Sequence, residues 1–236
     1  MKKEFMTGFR DGIPIALGYL SVSFGIGIMA LTSGLTVFQG AFMSLTNVTS
    51  AGQFAGIQVI AAGGAILELI LTQVIINLRY ALMSLSLSQK LSEEMTLPQR
   101  FVIAFANTDE IFAVAMGHAK SLTFPYMLGL EILPIAGWTG GTVLGAVAGQ
   151  VLPKSLASAL GVALYGMFIA IVVPVAKRLR PVLCVVVLAA LFSCVLYFVP
   201  AFSGISPGIS IILCTVASAL IGAWLFPIAG ETEDEE

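Results

Sequence analysis

The sequence predicts an all-α, polytopic integral membrane protein with six to eight transmembrane helices and at least one broken or re-entrant segment. Three observations carry this. Of the 236 residues, 58% are hydrophobic and only 10% are charged, whereas a soluble domain carries roughly a quarter charged residues. The charges are also absent over long runs: residues 12–67 and 181–230 contain no Asp, Glu, Lys or Arg. One crossing needs ~20 apolar residues, so each run is long enough for two spans and a turn. Finally, a segment in lipid must satisfy its own backbone polar groups, as a helix or within a closed barrel. Runs such as VLCVVVLAALFSCVLYFV (182–199) lack the period-two alternation of barrel strands, which leaves helices.

Each element follows in chain order. Residues 1–11, MKKEFMTGFRD, read as a short basic cytoplasmic segment. No cleavable signal peptide is expected, because the next apolar stretch is too long for an h-region. Residues 12–229 form the transmembrane domain, and 230–236 a solvated acidic tail. The first span is 12–33, rich in Gly and Ser, which suits close helix packing in lipid. Segment 35–63 has a small, polar middle, SLTNVTSAGQF (44–54), which predicts a helix broken near Thr49–Gly52 and facing protein or a cavity. Residues 64–89 form one long apolar helix carrying Glu68, Asn77 and Arg79. After a polar loop at 90–100 come segment 101–118 and candidate spans at 123–152, 155–176, 182–200 and 206–229, with Pro134 and Pro174 placed to kink theirs. A faint repeat links IPIA (13–16) to the same tripeptide core in LPIAGWTGGTVLG (133–145).

Two topologies fit. If every segment crosses, there are eight spans, with Lys90, Arg100 and Lys154 outside. If 35–63 and 101–118 dip in and return, there are six crossings, and Lys154 alone stays outside. The second agrees better with the positive-inside rule, while segment lengths favour the first. Both place the termini and the KRLR loop (177–180) in the cytoplasm.

The polar groups inside apolar text are the candidates for function. Arg79 lies about 16 Å from its helix end at Lys90, near mid-bilayer, where a charge needs a partner or water. Glu68, Thr72 and Arg79 share one helix face by spacing, with Glu68 close enough to the helix end to be interfacial. Asp109 and Glu110 sit in FANTDEIFAV (105–114). As helical neighbours they point about 100° apart, so one is expected to meet a cavity or Arg79 and the other a different polar partner. Either is a proton-coupling candidate, and Asp109 is the one expected to face a substrate. The break offers free helix-terminal amides that attract a carboxylate, with Ser50 and Gln53 as neutral donors and acceptors. The competing explanation for each is structural: an Asp–Arg pair that locks two helices, or a small-residue packing seam.

His118 reads as interfacial, and Trp138 and Trp224 as interface anchors or packing residues. Cys184, Cys194 and Cys214 read as small buried hydrophobes. Nothing in the sequence resembles a zinc-protease, phosphate-loop, redox or nucleophile-elbow motif, so neither enzyme chemistry nor a metal or cofactor is expected. No basic face suggests nucleic acid as a partner.

GIPIALGYLSVSFGIG (12–27), TSAGQF (49–54), NLRYALMSLSL (77–87), NTDEIFA (107–113) and WTGGTVLGAVAG (138–149) occur in this order. Together they resemble the AzlC family of branched-chain amino acid permeases over about residues 8–150. The resemblance implies a transporter, generally an exporter, of hydrophobic amino acids across the cytoplasmic membrane. It also implies a small AzlD-type membrane subunit as a partner, besides substrate and lipid. It carries over Ser50, Gly52, Gln53, Asn77, Arg79, Thr108, Asp109 and Glu110. Family members often have His where this chain has Tyr80, and Pro where it has Ser21. The first departure weakens a His-based proton step there. The second bears on the kink of the first span. A zwitterionic aliphatic amino acid needs a cation or helix N-terminus for its carboxylate, an acid for its ammonium and an apolar pocket. The carried-over residues are of those types.

Overall fold

The computed structural model describes residues 1–227. The expected acidic tail and the last two residues of the expected 206–229 span lie outside them. Among the described residues the regular structure is helical: α1 (Lys2–Thr32), α2 (Val37–Thr46), α3 (Ser50–Ala61), α4 (Ile66–Ser88), α5 (Leu97–Ala104), α6 (Asp109–Gly117), α7 (Phe124–Val151), α8 (Lys154–Arg178), α9 (Arg180–Phe198) and α10 (Pro207–Leu225). Five of these, α1, α4, α7, α9 and α10, are long and apolar enough to cross a membrane.

The centre of the fold is the pair α1–α7. The two helices run parallel: Gly129 packs on Phe5, Gly137 on Ala16, Gly141 on Leu20 and Gly145 on Phe24. Gly8, Gly12 and Gly27 of α1 return the contact onto Tyr126, Leu130 and Thr142. A Cβ at any of these would collide with the opposite backbone, so glycine on both helices permits the close approach that drives association in lipid. The helix begins before the expected first span at residue 12. Residues 2–11 continue the same helix, because Gly8 is already seated on α7.

The short helices bear on the choice between topologies. In α2–α3, Gln53 bonds back to Ser44 and Gly56 lies against Met43, so the second limb returns along the first. α3 then runs antiparallel to α4, with Gly52 beside Gln73 and Asn77 and Gly64 beside Glu68. The pair enters from the face where α1 ends and returns to it. The second pair, α5–α6, enters from the opposite face. Asp109 at its tip reaches Arg79 in the middle of α4, Asn107 bonds Ser84 about one turn before the end of α4, and Lys90 beyond that end donates to the Met116 carbonyl near the end of α6. Each pair turns over a capped break: Thr49 caps α3 and Thr108 caps α6. Both 35–63 and 101–118 thus fold back on themselves as hairpins, the arrangement that the six-crossing alternative requires. The first break lies at 47–49, so Ser50–Gly52 already form the first turn of α3.

The C-terminal helices follow the same up-and-down logic. Glu68 Oε1, near the start of α4, accepts bonds from Ser206 Oγ (2.6 Å) and Gly208 N (2.9 Å) at the start of α10. Val185 early in α9 lies against Gly222 late in α10. Glu68 is therefore a cap for another helix rather than a merely interfacial acid. Glu68 and Thr72 face α10 and Arg79 faces α6, so the expected common face serves two different neighbours. With these directions, every Lys and Arg except Arg79 and Lys154 belongs to the face that carries the N-terminus. The three cysteines are free thiols, but none is fully buried: Cys194 is exposed, and Cys184 and Cys214 are half-buried.

Candidate functional site

The two hairpin tips meet in the middle of the bundle. α3 runs from its tip toward one face and α6 toward the other, so both helix N-termini look into the same central region. A cavity of about 420 Å³ lies there. Its polar lining is Tyr19, Ser21, Thr49, Ser50, Tyr80, Thr108, Asp109 and Glu110; its apolar lining includes Pro14, Ile15, Val22, Val48 and Trp138.

A chain of contacts joins the tips. Tyr80 donates to Thr49 Oγ1 (3.2 Å), Arg79 donates to the Tyr80 hydroxyl (3.3 Å), and Arg79 Nη2 pairs with Asp109 Oδ2 at 2.8 Å. The Arg79 guanidinium also lies 5.0 Å from the centre of the Tyr80 ring. The two acids divide as their helical offset requires. Asp109 meets Arg79, and Glu110 Oε2 accepts from the Tyr19 hydroxyl of α1 at 2.5 Å. That hydroxyl is also 2.6 Å from Thr108 Oγ1.

The helix ends differ in charge. α6 carries Asp109 and Glu110 in its first turn, whereas α3 has no acid in its first turn. At α3 the Gly52 amide donates to the Thr49 side chain, while the amides of Ser50 and Ala51 belong to the orphan donors that every helix start leaves. One side of the cavity is thus positive by its backbone and the other negative by its side chains.

Several carried-over residues support the cavity without lining it. Gln53 is fully buried, accepts from Trp138 Nε1 (2.9 Å) and donates to Ser44 Oγ (2.6 Å). Ser44 in turn lies 2.7 Å from Thr142 Oγ1. This network pins both limbs of the first hairpin to α7. Gly52 is crowded by Thr49, Gln73 and Asn77, so its missing side chain lets α3 approach α4. Asn77 bonds to Gln73 on its own helix, and Gln73 holds the Gly52 carbonyl at 2.7 Å. Arg79 reaches the cavity through Asp109 and Tyr80 rather than lining it itself.

The residues not anticipated at the cavity are Tyr19, Tyr80 and Trp138. Of the two alternatives expected for Trp138, anchor or packing residue, it takes the second: it is 2% exposed and packs edge-on against Tyr19 at 5.4 Å. Trp224 is 80% exposed near the end of α10. His118 stacks on Tyr126 at 4.2 Å, at the N-terminal face. The one signal for Tyr19 and Tyr80 was their polar handle within apolar runs, which is shared by many interfacial aromatics. Among the described residues no three His, Cys, Asp or Glu side chains cluster as a metal site.

Fold and site define a class: a multi-pass helical membrane protein whose polar centre is built where two oppositely oriented helical hairpins meet. The model of the AzlC protein family matches residues 14–152, and the chain belongs to that family. An Archaeoglobus fulgidus protein described as an uncharacterized membrane protein is 33% identical over 172 residues, 72% of this chain and 75% of its own. The inner membrane protein YgaZ of Escherichia coli strain K12 is 28% identical over 229 residues, 93% of this chain and 91% of its own. No solved structure matches. The family match spans every residue of the cavity. AzlC membership is consistent with a transporter or permease rather than an enzyme.

Proposed function

We propose that this chain is a secondary transporter, working as an exporter, of branched-chain or other hydrophobic amino acids across the cytoplasmic membrane. The observation that carries the reading is the cavity itself. It has an uncompensated helix N-terminus on one side, carboxylates on the other and an apolar wall between. Its volume falls within the ~300–1,000 Å³ of small-molecule sites.

A zwitterion fits that polarity. Its carboxylate lies against the Ser50 and Ala51 amides and the Thr49 and Ser50 hydroxyls. Its ammonium lies against Glu110. Its side chain lies on Ile15, Val22 and Trp138. The charge of Asp109 is met by Arg79, whereas Glu110 accepts from the neutral Tyr19 hydroxyl, so the ammonium is assigned to Glu110 where the sequence pointed to Asp109. Proton exchange at Asp109 or Glu110 supplies the coupling. The first hairpin gates one face and the second gates the other, a division suited to alternating access. Six crossings with the N-terminal face cytoplasmic agree with the bias of Lys and Arg. A small AzlD-type subunit belongs to the proposal on the strength of the family alone.

Labelled-leucine counterflow into vesicles tests this, with and without the co-expressed small subunit and a pH gradient. Exchange above protein-free vesicles is expected. No leucine movement under any condition contradicts the reading.

The Arg79–Asp109 pair supports a second reading, a non-transporting scaffold or sensor subunit with a structural ion pair. Under it, Asp109→Asn and Arg79→Ala lose equal stability and the neutral double variant regains it. Under transport, Asp109→Asn inserts stably and leucine efflux is lost.

A further inference from the structure

One ionisable side chain deep in the bundle takes no part in the site. Glu131 of α7 is 2% exposed, and its Oε1 has no hydrogen-bond partner. Among the described residues it forms no ion pair. It lies two helical turns from Trp138 on the same stripe of α7, toward the N-terminal face. Trp138 lines the central cavity. Five residues before Glu131, Tyr126 lines a second cavity of about 390 Å³ at that face, together with Lys3, His118, Lys120 and Thr123. Along α7, Glu131 therefore stands at a level between Trp138, which lines the central cavity, and Tyr126, which lines the polar vestibule, and itself lines neither.

An ionised carboxylate with no partner is strongly disfavoured in so dry a place, and a proton is the partner such a place leaves to it. The elements packed on α7 bring few competitors. α1 carries Lys2, Lys3, Glu4, Arg10, Asp11 and Tyr19; α2 carries no titratable group; α5 carries Arg100; α6 carries Asp109 and Glu110 and ends at His118. Of these, Asp11 is taken by Tyr126 (3.0 Å), Asp109 by Arg79 and Glu110 by Tyr19. None bonds Glu131. Intramembrane acids that lack a structural partner mark proton or substrate pathways.

We infer that Glu131 is a proton-carrying residue between the N-terminal vestibule and the substrate cavity, separate from the acids that hold the substrate. It takes one proton from vestibule water and releases one on the cavity side, so the carboxyl is regenerated each cycle. The inference rests on the transport reading, and the test separates the two.

Wild type and Glu131→Gln, an isostere that keeps the volume, are reconstituted in vesicles holding a pH dye. Leucine counterflow is measured without a gradient, and leucine-linked proton movement with one. Counterflow is expected to persist in Glu131→Gln while proton movement falls to the level of protein-free vesicles. Wild-type proton movement in that variant overturns the inference and leaves transport intact. If wild type itself shows no leucine counterflow, the transport reading fails, and infrared spectroscopy of the purified protein decides Glu131. A protonated-carboxyl band that exchanges with deuterium and is missing from Glu131→Gln supports a solvent-connected proton site. Absence of such a band overturns it.

Discussion

Arg79 Nη2 and Asp109 Oδ2 lie 2.8 Å apart, joining the middle of α4 to the first residue of α6. The pair holds the tip of the second hairpin against a long apolar helix. Both side chains are about half exposed in the chain, at 51% and 46%. Its strength is therefore set by its surroundings, lipid or hydrated cavity, and an exposed-pair value of ~0.2–1 kcal/mol is the floor. Arg79→Gln is expected to lower leucine transport at least about tenfold, corresponding to ~1.4 kcal/mol of lost coupling. Counterflow on correctly inserted protein checks this. Undiminished transport in Arg79→Gln removes Arg79 from the mechanism.

Tyr19→Phe removes the hydroxyl that donates to Glu110 while keeping the ring against Trp138. A hydrogen bond to a charged group contributes ~1.5–3 kcal/mol. Folding yield is expected to stay near wild type, and apparent leucine affinity to change by roughly tenfold or more. The concentration dependence of counterflow measures it.

Gln53→Leu removes the acceptor for Trp138 Nε1 and the donor to Ser44 Oγ, both buried. Ser44 keeps Thr142, while Trp138 Nε1 is left without a partner, which costs ~1–3 kcal/mol. The expected outcome is a large drop in thermal stability in detergent, before any loss specific to transport. Gln53→Glu keeps the acceptor for Trp138 and is expected to fall between the two.

Gly145→Val places side-chain atoms into the Phe24 backbone, where even a Cβ does not fit. Separation of α1 from α7 is expected, seen as loss of monodisperse protein. Gly140→Ala is the control, since a Cβ there meets nothing within 4 Å.

The folded-back hairpins make a topological prediction. In a chain lacking its native cysteines, Glu94→Cys before α5 is expected to react with an impermeant reagent from the same side as the N-terminus. Gly64→Cys after α3 reacts from the other side. The eight-span alternative reverses the result for Glu94→Cys.

The parts of this arrangement that could be read from sequence are those where a polar group interrupts apolar text. Arg79, Asp109, Glu110 and the 44–54 interruption stand out because lipid gives their side chains and backbone no partner. The split of Asp109 and Glu110 between two partners followed from helical geometry alone. The direction of the hairpins did not, because a stretch such as 35–63 is long enough to cross. What turns it back is specific packing, Gly56 on Met43 and Gln53 on Ser44, and hydropathy does not encode that. Tyr19, Tyr80 and Trp138 were obscured for a related reason: amphipathic aromatics suit a membrane interface as well as a polar centre. Glu131 carried the same signal as Asp109, an acid within an apolar run, but with no second motif beside it to draw attention.

The central claim is that the substrate sits between the two hairpin tips, against Trp138 and Glu110. The protein has two tryptophans, Trp138 in the cavity wall and Trp224 exposed near the end of α10. Trp224→Phe therefore leaves a single reporter at the site. Leucine titration of this variant, followed by tryptophan fluorescence, is predicted to give a saturable change that disappears when Glu110→Gln is added. Leucine exchange without any response from Trp138 would contradict the account.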